Sequence, residues 1–259
     1  QRPWLARLLG RQSTVVVAVP TAAPVVALTV DDGPHPVLTP QILATLERHG
    51  ARATFFFLGS GVERHPHLAR AAVSQGHEVG NHGWLDRPAV RMPSLAFEAD
   101  VARTARTIEA VTGAAPRVFR PGSGWFRPSQ LRHVRAIGNQ LVLGSVAVVD
   151  LTVRRVDREV AFVLRRLQPG AVVVLHEGRD DRRNVVPLLE RLLPEMHRLG
   201  YRSVTVSELV AARADGQDRP WSAPLSPVGS AQHGRPRSAP LSPDGSSPMG
   251  RRAGRSPRH

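Results

Sequence analysis

The 259-residue sequence contains no cysteine and no lysine. The first absence excludes disulfides, cysteine-ligated metals and thiol nucleophiles, and leaves the redox compartment open. The second makes all 35 basic side chains arginine, a bias that genome composition explains as readily as function does. A long apolar run is also missing. The longest stretch, Thr14 to Val30, is broken by Pro20 and Pro24 and is too short to span a bilayer. No complete signal-peptide pattern is present either. What remains is enough chain for one full-sized core, with 41% hydrophobic and 22% charged residues. The formal net charge of +14 would attract anionic surfaces such as nucleic acid, acidic wall polymers or lipid headgroups. No helix-turn-helix, finger or RNA-binding signature accompanies that charge, so no specific nucleic-acid binding is expected. Nothing in the sequence reports an oligomeric state.

The most informative stretch is Thr29 to Pro34. The run from Val25 to Val30 is short, apolar and β-branched, and it ends in Asp31, Asp32, Gly33 and Pro34. It has the character of a buried strand. Carboxylates at a strand's C-terminal end sit where open α/β folds and barrels place their chemistry. On an extended chain the two side chains point opposite ways, so one could serve a metal and the other a proton. An Asp-Gly pair is equally a plain turn signal.

Four further runs have the same build. Gly76 to Asp86 carries Asn81 and His82, with Asp86 four residues after the histidine. Phe119 to Phe126 contains Arg120, Pro121, Gly122 and Trp125. Leu143 runs to Asp150. Ala171 to Gly178 is a valine-rich run ending in Leu175, His176 and Glu177. Helical periodicity separates them, and Gly50, Gly76, Gly113, Gly138, Gly170 and Gly200 each follow a helical pattern, as C-caps do. Candidate strands are 25–30, 53–58, 77–80, 117–119, 141–144, 171–175 and 202–205. Candidate helices are 39–49, 67–74, 94–111, 128–137, 158–167, 185–199 and 208–214, the last with Ser207 as N-cap. Repeated strand–helix units predict a parallel sheet, and seven of them with chemistry at strand ends predict a barrel.

Residues 1–24 form a lead-in, and 25–214 the body. From 215 to 259 the chain is rich in Pro, Ser, Gly and Arg. There a twelve-residue segment starting at Arg219 returns, with changes, at Arg235. Such a segment cannot bury much apolar surface and is expected to be disordered.

In order and kind, the five motifs resemble those of the polysaccharide deacetylases, the NodB-like carbohydrate esterases, over about Val25 to Ala211. The resemblance implies a distorted (β/α) barrel and a metal-dependent hydrolase that removes acetyl groups from N-acetylglucosamine-containing polymers, peptidoglycan or chitin-like. It implies an acetylated polysaccharide or oligosaccharide as partner, and an extracellular or cell-envelope location. It assigns Asp31 as general base and Arg120 as the group that holds it. His176 becomes the acid for the leaving amine, oriented by Asp150. Asp32 and His82 become metal ligands, and Pro121, Gly122, Trp125 and Leu175 substrate contacts, Leu175 beside the acetyl methyl.

The family's usual third ligand is a histidine four residues after the first, and this chain has Asp86 there. Zinc remains the first choice of metal, but a second carboxylate makes manganese, cobalt or magnesium more plausible. The alternative for Asp86 is an ordinary loop ion pair with Arg87. Glu177 also departs from the family, which has Asp after this histidine. Two other functions stay open: hydrolysis of small linear or cyclic amides on the same fold, and a catalytically decayed carbohydrate- or wall-binding protein.

Overall fold

The computed structural model describes residues 15–148, 156–179 and 182–212. Among them nine strands form one sheet: β1 (Val15–Val16), β2 (Val25–Asp31), β3 (Thr54–Phe57), β4 (Glu78–Asn81), β5 (Val118–Phe119), β6 (Gln140–Val142), β7 (Val146–Ala147), β8 (Val172–His176) and β9 (Arg202–Val204). The order is β1-β6-β5-β4-β3-β2-β8-β7, with β9 beside the first half of β2, and every ladder is parallel. The helices are α1 (Leu38–Arg48), α2 (Gly59–Arg64), α3 (Pro66–Ser74), α4 (Ser94–Thr112), α5 (Pro128–Ala136), α6 (Val156–Leu164), α7 (Val185–Arg198) and α8 (Val206–Ala211). This is the expected distorted (β/α) barrel.

All seven residues of β2 are buried, as a central strand covered on both faces requires. The alternation along β3 shows the layers. Phe55 and Phe57 pack outward with Ile42, Leu46, Leu188 and Leu192 of α1 and α7, while Phe56 points inward with Ala27, Val118, Val142 and Val172. Val206 and Leu209 of α8 belong to that inner cluster and close one end of the barrel. The N-cap of α8 is Thr205, not Ser207. Its hydroxyl accepts from the Glu208 amide at 3.2 Å, and Glu208 accepts from the Thr205 amide at 2.9 Å. This reciprocal capping box needs a glutamate three residues on, which only Thr205 has.

The stretch expected as a lead-in takes part in the barrel. β1 pairs with β6, and beyond it Ala18 bridges Ala171 while the Val19 amide donates to the Gly170 carbonyl at 2.9 Å. Residues 15–19 therefore run between β6 and the start of β8. The expected tail, 215–259, lies outside the described residues, as does Asp150.

Candidate active site

Register brings the predicted motifs together. β2 pairs with β8 so that Asp31 stands beside His176, and with β3 so that Asp31 stands beside Phe56. At the C-terminal ends of these strands lies a cavity of ≈ 350 Å³ lined by Asp31, Asp32, His82, Arg120 and His176, among others. The two aspartates do not point apart. Asp32 has φ 72°, a left-handed conformation, and this turn directs both carboxylates into one cavity. Asp tolerates that region better than most residues. Close approach shapes the turn: a Cβ on Gly178 would lie 2.4 Å from the Asp32 Cβ.

Asp31 is 3% exposed and is held by Arg120, whose Nη1 donates to its Oδ1 at 2.5 Å and to Thr29 Oγ1 at 2.7 Å. Arg120 Nε donates to the Val142 carbonyl at 3.3 Å, and its guanidinium lies 4.1 Å from the Phe56 ring centroid. The base candidate is thus clamped by a buried, four-point arginine. Thr29 was visible in the motif, but nothing in its spacing marked it as part of the clamp.

His82 is buried, and its Nδ1 lies 2.8 Å from the Arg120 carbonyl. A carbonyl only accepts, so Nδ1 carries the proton. In the neutral ring Nε2 then turns a lone pair toward Asp32 Oδ1, 3.3 Å away. Two acceptors facing each other need a proton or a cation between them. Burial lowers the His82 pKa, but the Asp31 and Asp32 charges outweigh it and the net shift is upward. Burial raises that of Asp32, yet His82, His176 and Arg182 hold it below its ordinary value. The pair fits a divalent cation: one anionic oxygen, one imidazole nitrogen, and a carbonyl fixing the imidazole from behind as metal-binding histidines require.

The third expected ligand is Asp86. It is exposed on the wall of the same cavity, and among the described residues no group of three His, Asp or Glu side chains stands close enough to hold a metal. It does not pair with Arg87. Arg87 pairs with Asp100 of α4, whose other oxygen accepts from the Trp84 amide at 2.7 Å. Asp100 thereby fixes the loop that carries Asp86. The Arg87 carbonyl in turn rests on Gly122, where a Cβ would come within 2.2 Å of it.

His176 is half-buried at the cavity. Burial lowers its pKa, partly offset by Asp31 and Asp32. Its Nδ1 is buried with no hydrogen-bond partner among the described residues. An orienting acceptor such as Asp150 would meet that need. Glu177 is fully buried, and burial pushes its carboxyl up to about 8.

The expected substrate contacts divide. Pro121 lines the cavity, and Trp125 beyond it is 71% exposed. Gly122 is buried against Arg87 instead of facing the cavity. Leu175 is 0% exposed and packs in the outer core, because side chains alternate along β8 and His176 takes the inner face. Val174, two residues before His176, lines the cavity with Leu143 and Ala147 and forms its apolar side. Period-two counting back from His176 would have found it.

Residues 18–142 match the family model for polysaccharide deacetylase. A peptidoglycan-N-acetylglucosamine deacetylase of Bacillus cereus is 36% identical over 194 residues, which cover 74% of this chain and 91% of that protein. The chain belongs to the polysaccharide deacetylase family. Its fold agrees: the crystal structure of the Bc1960 peptidoglycan N-acetylglucosamine deacetylase superposes with a TM-score of 0.76 at 26% identity, covering 82% of this chain and 97% of that one. BA3943 of Bacillus anthracis, described as a pseudoenzyme of carbohydrate esterase family 4, superposes with a TM-score of 0.70 at 26% identity, covering 76% of this chain and 68% of that one.

Proposed function

We propose that this polysaccharide deacetylase hydrolyses the acetamido group of N-acetylglucosamine in a wall polymer, peptidoglycan first, outside the cell membrane. The observation that carries the reading is the convergence of Asp31, Asp32, His82, Arg120 and His176 on one cavity at the strand ends. Amide hydrolysis needs an activated water, a polarised carbonyl and an acid for the amine. Asp32 and His82 would hold a divalent metal, zinc first, which when bound supplies Lewis acidity toward the carbonyl and the water. Asp31, kept in place by Arg120, takes the proton from water. His176 delivers a proton to the departing nitrogen. Val174, Leu143 and Ala147 form an apolar wall suited to an acetyl methyl, and exposed Trp125 offers a flat face to a sugar ring.

One observation favours a second reading, a wall-binding protein without turnover: among the described residues no three His, Asp or Glu side chains are grouped closely enough to hold a metal. Acetate release from chitooligosaccharides and from peptidoglycan fragments, with zinc, manganese and cobalt, separates the two. The deacetylase reading expects metal-dependent acetate. No acetate under any metal, with oligosaccharide still bound, establishes the second. Asp86 is tested in the same series by titrating the metal-free protein calorimetrically. As a third ligand, Asp86→Ala weakens metal binding by well over tenfold, and Asp86→His shifts preference toward zinc. Equal affinities for wild type and both variants remove Asp86 from the ligand set.

A further inference from the structure

Glu177 takes no part in the reaction proposed above, yet four contacts join it and its neighbours to the loop that carries both aspartates. Its amide donates to the Asp31 carbonyl at 2.9 Å. Its Oε2 accepts from the Thr39 hydroxyl at 2.6 Å, and that hydroxyl accepts from the His35 amide at 2.8 Å. Its Oε1 occupies the space beside Gly33 so closely that a Cβ there would lie 2.0 Å away. The next residue, Gly178, presses on Asp32 in the same manner. The loop from Asp31 to His35 is thus gripped from β8 at one end and through Thr39 of α1 at the other.

We propose that Glu177 is a positioning residue: with Thr39 it braces the Asp31–His35 loop and so holds Asp32 in its left-handed turn, facing His82. The physical need is plain. A non-glycine residue at positive φ is unfavourable by itself and persists only where its surroundings over-determine it. A side chain with a glutamate's reach is needed, because the bond to Thr39 crosses beneath Gly33. An aspartate is one methylene shorter and leaves the Thr39 hydroxyl, which the His35 amide bonds, to find another acceptor.

The proposal rests on the metal-binding reading of Asp32 and His82, and two measurements keep the two apart. The first is zinc affinity of the metal-free protein by calorimetry. Glu177→Ala and Thr39→Val should each weaken binding by about tenfold or more at unchanged stoichiometry. Glu177→Gln keeps an acceptor at the same reach for Thr39 and should stay within about threefold of wild type. The second needs no metal: hydrogen exchange at the Leu58 amide, whose 2.8 Å bond to the Gly33 carbonyl reports the loop's position. Exchange should be at least tenfold faster in Glu177→Ala and Thr39→Val, and near wild type in Glu177→Gln. Should Glu177→Ala fail to fold, Thr39→Val tests the same bond from the other side. Wild-type protein that binds no zinc defeats the metal reading alone, and the exchange result then decides the brace. Unchanged exchange in Thr39→Val overturns it, as does, where the wild type binds zinc, unchanged zinc affinity in Glu177→Ala and Thr39→Val.

Discussion

At the scale of single residues, the site assigns different work to two adjacent aspartates by giving them different partners. Asp31 is held by an arginine and Asp32 faces a histidine, and the proposed mechanism makes the first the proton acceptor and the second a metal ligand. Substitution should therefore separate binding from turnover. Asp32→Ala and His82→Ala are expected to abolish stoichiometric metal binding, measured by titration of the metal-free protein. Asp31→Asn is expected to retain the metal while kcat/KM for acetate release falls by roughly 10²–10⁴, the usual worth of a positioned proton acceptor. Near-normal turnover in Asp31→Asn would assign the base elsewhere. These residues were legible because each ends a strand-like run and each is of a type that chemistry demands. Leu175 was misplaced for a related reason: proximity in sequence to His176 says nothing about which face of the strand a side chain takes. The brace of Glu177 on Thr39 was beyond reading, since the two are 138 positions apart and meet only through the barrel.

At the scale of elements, seven strands were legible to within two residues of their ends, because buried parallel strands are written as continuous β-branched runs. β1, β7 and α2 were not. The two strands are two residues long, and the helix of Gly59–Arg64 carries glycine at its first and third positions. Length and propensity carry little signal in such pieces, although the equally short β5 was found; the neighbours define them. The loops between elements lock through close backbone contact, which makes Gly122→Ala informative. The added methyl meets the Arg87 carbonyl, a backbone atom that cannot rotate away. A loss of about 1–3 kcal/mol is expected in urea unfolding, the usual cost of overpacking, along with a fall in activity. His77, just before β4, adds a pH dependence. Burial, helped by the Arg52 charge, pulls its pKa from 6.5 to about 4, while its Nδ1 accepts from the Ala53 amide at 3.2 Å. The unfolded chain therefore takes up a proton below pH 6.5 that the folded protein refuses. Stability is full above that pH and drains as pH falls toward about 4. Between pH 7 and 4.5 this group should cost about 2.5 kcal/mol, at about 1.4 kcal/mol per pKa unit. His77→Gln offers an acceptor without a titration and should lose correspondingly less over the same interval in urea unfolding.

At the scale of the whole molecule, the barrel is an unequal ring. β2 is its hub, with partners β3, β8 and β9, and it delivers the two aspartates. Between β6 and the start of β8 the ring is completed by residues 15–19, which precede the stretch where the motifs begin. Sequence alone drew the boundary of the body at Val25, since β1 is too short to announce itself. The segment's position gives it an importance that its length conceals. A chain begun at Val25 would leave the edge of β6 without its partner strand and the Gly170 carbonyl before β8 without the Val19 amide. Unpaired β edges of this kind invite a second chain to lie alongside. Removal of residues 1–19 is therefore expected to show itself first as concentration-dependent self-association, seen by light scattering, with activity lost as the assemblies grow. An unchanged association state in that variant would mean the ring holds without its last piece. In the full chain, those few valines would make the molecule its own nearest strand partner and so keep copies of it apart.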